Sequence, residues 1–170
     1  MKMETVQRKN CILDGEAVKR KLRRMALEVA EQNTEEQELI IAGVSGNGEV
    51  VARFIFEELK ALTSVPMQMI TIQLNKKHPL EVSIPESIAT ENKVLLIVDD
   101  VANSGRTMLY AIKPFLRSLP KKIQTLVLVE RSHKIFPVQS DFVGLSLSTT
   151  LQEHITVEVK DGVISGAFLE

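Results

Sequence analysis

The chain is predicted to be an α/β protein built on a doubly wound parallel sheet flanked by helices, and three observations carry that prediction. Residues 94–98 (Val-Leu-Leu-Ile-Val) form an unbroken apolar run rich in branched side chains, which reads as a strand buried on both faces. A polar turn containing a glycine follows it, and then an apolar pattern at Leu109, Ile112, Phe115, Leu116 and Leu119 that fits one face of a helix. The same order of strand, glycine loop and helix occurs upstream, at residues 39–44, Ser45-Gly46-Asn47-Gly48, and Val50, Val51, Phe54, Ile55 and Leu59.

Taken in order, residues 14–33 carry Val18, Leu22, Met25, Ala26 and Val29 at helical spacing, with Asp14 placed to cap the helix N-terminus. The polar side of this helix bears Lys19, Arg20, Lys21, Arg23 and Arg24, either a solvated face or a surface for RNA phosphates. Residues 67–74 alternate as a strand with unequal faces, and Asn75-Lys76-Lys77-His78-Pro79 breaks it, with His78 read as a surface loop residue. A short strand is expected over residues 81–84, stopped by Pro85. After the central unit, residues 123–129 and 142–145 read as strands, and the tail from His154 to Phe168 reads as a hairpin around Lys160-Asp161-Gly162.

Composition bounds what such a chain does. With 170 residues, 44% hydrophobic and 25% charged, one globular domain spanning residues 1–170 is expected. A net charge of −1 gives no overall attraction to nucleic acid or membrane. Cys11 is the only cysteine, so no intrachain disulfide forms and a reducing compartment is expected. No apolar run approaches the ~18 residues of a membrane span, and residues 1–10 lack a signal-peptide core, so the expected location is cytoplasmic.

Chemistry concentrates where the strand of residues 94–98 meets Asp99 and Asp100 and the turn Ser104-Gly105-Arg106-Thr107. In an open α/β sheet, ligands gather at the carboxyl ends of strands, and a glycine-bearing turn that opens a helix offers free N–H groups to an anion. Asp99 and Asp100 repel phosphate but suit vicinal hydroxyls or Mg²⁺. The two halves together describe a ribose 5-phosphate site. An ATPase strand ending in two acidic residues is the nearest competitor, but the chain has no G-x-x-x-x-G-K-[ST] motif to accompany it. Nor is Ser45-Gly46-Asn47-Gly48 a dinucleotide fingerprint, because Val51 stands where a third Gly or Ala belongs.

The strand, acidic pair and Ser-Gly turn resemble the phosphoribosyl diphosphate (PRPP) signature of type I phosphoribosyltransferases. The resemblance extends to the basic helix after Ile12-Leu13-Asp14, the Ser45–Gly48 loop, and Leu128-Val129-Glu130-Arg131-Ser132-His133, in the order found in the bifunctional pyrimidine operon attenuation regulator and uracil phosphoribosyltransferase family. It implies a hood made from the N- and C-terminal segments, PRPP and a nucleobase or nucleotide as ligands, uracil as acceptor, Mg²⁺ as cofactor, possible RNA binding, and a homodimer or higher homo-oligomer. By the same resemblance Asp99 and Asp100 are the catalytic pair and hold the ribose, while Ala102, Asn103, Ser104, Gly105, Arg106 and Thr107 hold ribose and 5-phosphate. Ser45, Gly46, Asn47 and Gly48 take the diphosphate, Arg131 and His133 lie on the base side, and Arg23 and Arg24 are RNA contacts. No membrane partner is implied.

Three departures from that family shape the expected activity. The diphosphate loop is uncharged, the segment between Leu74 and Val94 is short and begins Asn75-Lys76-Lys77, and Leu145-Ser146-Leu147 is apolar where the family is basic. Turnover is therefore expected to be slow and improved by Asn47→Arg, unless Lys76 or Lys77 supplies the missing cation. The competing reading is a catalytically weak, nucleotide-sensing, RNA-binding regulator of pyrimidine genes.

Overall fold

The computed structural model describes residues 9–150 and 152–170; of the segment read as lacking a signal peptide, residues 1–8 lie outside the described residues. The elements are β1 (Asn10–Asp14), α1 (Gly15–Gln32), β2 (Leu39–Val44), α2 (Asn47–Leu62), β3 (Met67–Leu74), β4 (Val82–Ser83), β5 (Val94–Ala102), α3 (Arg106–Ile112) with a 3-10 turn (Lys113–Arg117), β6 (Lys122–Arg131), β7 (Phe142–Leu147), β8 (Ile155–Lys160) and β9 (Val163–Leu169).

The strands account for the layering. Along β2, Leu39 and Ile41 enter the core on one side of the sheet and Ile40, Ala42 and Val44 the core on the other; Leu96 and Val98 against Leu95 and Ile97 repeat this in β5. A sheet apolar on both faces must be covered on both. α1 and α2 cover one side through Val18, Leu22, Met25, Val51 and Ile55, and α3 with its 3-10 turn covers the other through Met108, Ala111 and Phe115. α1 starts where Asp14 Oδ1 accepts the Ala17 N–H at 2.8 Å, a cap worth about 1 kcal/mol.

The main sheet runs β4-β3-β2-β5-β6-β7, parallel except for β4, and the small second sheet runs β1-β9-β8, antiparallel. From β2 the chain passes to β3 on one side, then returns to β5 on the other, so the strand order reverses at β2. That reversal opens a crevice at the carboxyl ends of β2 and β5, where both glycine-bearing turns lie. The second sheet is the expected hood. Its hairpin turns at Asp161 and Gly162, with φ of 51° and 74°, the two positive values of a type I′ turn.

Two expectations are corrected. The acidic pair does not end its strand: Asp99 still pairs Val127 and Ala102 pairs Glu130, so β5 runs on through the carboxylates. The helix after the turn is short, and the buried positions are Met108, Ala111 and Phe115, while Leu116 and Leu119 are 67% and 75% exposed. Pro114 is the cause, because it lacks an N–H and its ring crowds the Tyr110 carbonyl, which tightens the helix into a 3-10 turn and rotates the later residues off the core. Among the described residues no helix is long and apolar enough to cross a membrane.

Candidate active site at the sheet crevice

Asp99 and Asp100 stand near the carboxyl end of β5, with side chains only 2% and 10% exposed. Lys76, from the loop after β3, places its ammonium between them, 2.8 Å from Asp99 Oδ1 and 3.0 Å from Asp100 Oδ1. The backbone of that loop is tied down as well, since Arg106 Nη2 donates to Lys76 O at 3.3 Å. Asn47 completes the cluster, donating from Nδ2 to Asp100 Oδ2 at 3.1 Å and to Val157 O of β8 at 2.8 Å. One amide thus joins the first glycine loop, the acidic pair and the hood. Gly48 is required beside it, because a Cβ there would lie 2.8 Å from Asp99 Oδ1.

Burial and the adjacent Asp100 charge push the Asp99 carboxyl up to about 7, although Lys76 opposes them. Burial would raise Asp100 too, but the Lys76 charge and hydrogen bonds from Lys76 and Asn47 hold it below the ordinary carboxylate value. Burial acts to lower Lys76, and the two carboxylates outweigh it, so the ammonium is held above its usual value. Near neutral pH the Asp100 carboxylate and the Lys76 ammonium therefore cancel, and the partly protonated Asp99 leaves the cluster with a net charge between 0 and −1.

This distribution has a consequence for stability. Between the ordinary aspartate value of 3.8 and about 7, the folded protein keeps a proton on Asp99 that the unfolded chain has released. Stability should fall as pH rises through that window, by up to about 1.4 kcal/mol per pH unit. Asp100 acts below the window and Lys76 above it, so neither cancels the slope. Urea midpoints measured from pH 4.5 to 7.5 should decline in the parent and flatten in Asp99→Asn; equal slopes would place the ionisation elsewhere.

A cavity of about 420 Å³ opens over this cluster. Its walls include Asn47, Lys76, the run from Asp99 to Met108, and Ile155, Thr156 and Val157 of β8. The expected ribose and phosphate residues Asp99, Asp100, Ala102, Asn103, Ser104, Gly105, Arg106 and Thr107 are thus gathered at one surface. Gly105, at φ 82°, turns the chain into α3 in the left-handed region that glycine occupies without strain. Ser104 Oγ accepts the Arg106 N–H at 3.3 Å.

The other expected residues are placed differently. Of the first glycine loop only Asn47 lines the cavity; Ser45 extends the ladder to Ile72 O at 2.9 Å, and Gly46 is exposed. Arg131 lies behind the cavity wall, where its guanidinium donates to Thr150 O at 3.3 Å, Glu153 O at 2.5 Å and Asn103 Oδ1 at 3.5 Å, while His133 is exposed. Arg24 is engaged by Glu28 and by the carbonyls of Val143 and Gly144, whereas Arg23 is 74% exposed and 3.9 Å from Glu58. Lys77 is exposed. Val101, Met108, Lys76 and the β8 residues line the cavity outside the expected ribose, phosphate and diphosphate set, and of these the sequence points only to Lys76, with Lys77, as a substitute cation.

The donor set suits a hard cation only in part. Two neighbouring carboxylates offer oxygen ligands, but among the described residues no group of three potential ligands exists. Mg²⁺ is commonly held by one or two carboxylates with the remaining oxygens from substrate phosphates and water. The residues fit an ion that arrives with a phosphorylated ligand.

Comparison with known proteins agrees with this architecture. A family model described as phosphoribosyl transferase domain matches residues 10–161. The chain is 32% identical over 160 residues to the "Bifunctional protein PyrR" of Staphylococcus carnosus, covering 88% of this chain and 91% of that one. It is also 32% identical over 169 residues to the protein of the same name from Ligilactobacillus salivarius, covering 89% and 95%. Among solved structures, the hypoxanthine phosphoribosyltransferase of Trypanosoma cruzi superposes with a TM-score of 0.76 at 15% identity, over 94% of this chain and 95% of that one. A hypoxanthine-guanine phosphoribosyltransferase from Bacillus anthracis does so with a TM-score of 0.67 at 17% identity, over 84% and 85%. At those identities the structural likeness concerns the fold alone.

Proposed function

The chain belongs to the phosphoribosyl transferase domain family, and from that premise we propose that it transfers ribose 5-phosphate from PRPP to a pyrimidine base, uracil first among them. The observation that carries the reading is the cavity itself, in which two buried carboxylates, a lysine and a glycine-opened turn converge beneath a hood strand. Asp99 and Asp100 accept hydrogen bonds from the ribose hydroxyls, and the N–H groups of the turn from Ser104 to Thr107 receive the 5-phosphate. As the hydroxyls occupy the carboxylates, Lys76 is released toward the departing diphosphate, which accumulates charge as the glycosidic bond breaks. Asp99 and Asp100 are the residues that would hold a Mg²⁺ ion arriving with PRPP, which when bound would supply further neutralisation of the diphosphate. Positioning and electrostatics supply the rate, with no side-chain nucleophile.

On this reading residues 1–170 act as one cytoplasmic phosphoribosyltransferase domain that assembles as a homodimer or larger homo-oligomer. Its support is the family match across residues 10–161 and the hood strands packed against the main core. Consumption of uracil, orotate, guanine and hypoxanthine with PRPP and Mg²⁺ tests the reaction. Turnover of uracil is the expected result; turnover confined to purines overturns the base assignment.

A second reading has its own observation. The exposed basic side of α1, with Arg23 74% exposed, suits RNA phosphates and supports a nucleotide-sensing regulator of pyrimidine genes. If that face binds RNA, affinity for a pyrimidine-operon leader should fall steeply as salt rises, and Arg20→Ala with Arg23→Ala should flatten the slope. Affinity independent of salt would leave the face as solvated surface. PRPP binding without turnover of any base would favour this reading over the enzyme.

A further inference from the structure

The segment that follows β6 hangs on one buried carboxylate. Glu130, with an 8% exposed side chain, accepts the Lys134 ammonium at 2.5 Å on Oε1, and the same oxygen accepts the Ser140 N–H at 3.2 Å. A charged pair removed from water adds little net stability over apolar side chains of the same volume. Its value is to be sought in what it positions.

What it positions is the turn before α3. The Lys134 stem lies against Gly105, its Cδ 3.3 Å from where a Cβ would stand, and Phe136 O is 3.2 Å from the same point. Ser104 O accepts two N–H groups from this loop, Ile135 at 3.1 Å and Phe136 at 3.0 Å. In a planar trans peptide the carbonyl and the following N–H point in opposite directions. Two donors that hold Ser104 O toward the loop therefore aim the Gly105 N–H away from it.

We propose that Glu130 and Lys134 are positioning residues for the phosphate-binding turn: the pair holds the loop, and the loop's two amides fix the Ser104–Gly105 peptide so that its N–H is presented to the ligand phosphate. The role in phosphate binding rests on the function proposed above. The orienting of the peptide does not, and the experiment separates them. Residue-resolved amide exchange and calorimetry with ribose 5-phosphate and with uridine are measured on the parent, Glu130→Gln with Lys134→Met, and Lys134→Arg.

In the doubly neutral variant, exchange at Ile135 and Phe136 should rise at least tenfold while the amides of β2 and β5 stay as protected as in the parent. Affinity for ribose 5-phosphate should drop at least tenfold with uridine affinity unchanged, whereas Lys134→Arg, which keeps the ion pair, should leave both exchange and affinity at the parent's values. Unchanged exchange at Ile135 and Phe136, or an equal loss of uridine and ribose 5-phosphate, overturns the proposal. If the parent binds neither ligand, the proposed function fails and the exchange measurement still decides whether the pair orients the peptide. Should the double variant lose strand protection, the same readings on Glu130→Gln, which keeps an acceptor for the Ser140 N–H, decide it.

Discussion

Replacing Asp99 and Asp100 together by Asn is expected to lower affinity for PRPP by at least about 100-fold while leaving the fold intact. On the proposed function each carboxylate would form a charge-assisted hydrogen bond to a ribose hydroxyl worth about 1.5–3 kcal/mol, and every 1.4 kcal/mol is tenfold. The fold should survive because Asn is isosteric. Its side-chain oxygen still accepts the Asp100 N–H, now 2.9 Å from Asp99 Oδ1, and still fits beside Gly48. Removing a buried carboxylate whose proton is held up to about 7 also relieves a desolvation cost above that pH. Calorimetry with PRPP, beside urea unfolding at pH 7.5, reads both halves; PRPP affinity equal to the parent's would falsify the assignment of the pair to the ribose.

Lys76→Ala is expected to lower kcat about 100-fold or more with only a few-fold change in KM for PRPP. On the proposed reaction the loss would match removal of one preorganised electrostatic group, and it would fall on the transition state because the diphosphate gains its full charge only as the bond breaks. The structure also revises the expectation for Asn47→Arg. The native amide ties Asp100 to Val157 O of the hood, so an arginine there gives up both bonds before it offers a cation that Lys76 already provides. Asn47→Arg should therefore leave kcat unchanged or reduce it. Steady-state kinetics on the two variants settle the matter: full activity in Lys76→Ala, or a faster Asn47→Arg, would return the catalytic deficit to the uncharged loop. A second sign is available in Lys76→Ala, where loss of the opposing charge should push the Asp99 carboxyl further up.

How much of this was legible depended on the range of the interaction concerned. The Asp14 cap and the five buried positions of α1 follow from side chains within one or two turns of each other. β2 and β3 begin and end where their apolar patterns do, and the hairpin turns where Asp161-Gly162 permits positive φ. The helix after the acidic pair was read less well, because apolar spacing alone said nothing of how Pro114 would rotate Leu116 and Leu119 into solvent. β5 ran past its carboxylates because β6 continued to pair with it, which is a property of the neighbour and not of the run itself.

The candidate site divides along the same line. By itself the sequence determined that two carboxylates and a glycine-bearing turn would lie together at one strand's end, since they are adjacent in the chain and a strand leading into a helix leaves them little freedom. Only the tertiary structure decided that Lys76 would enter the acidic pair from 23 and 24 residues away, that Asn47 would reach across to a hood strand 110 residues on, and that Arg131 would face the cavity wall rather than the cavity. Charges and amides of this kind carry no periodicity. Their partners are set by strand order and by which buried group still lacks a counter-charge, and both exist only once the sheet has been assembled.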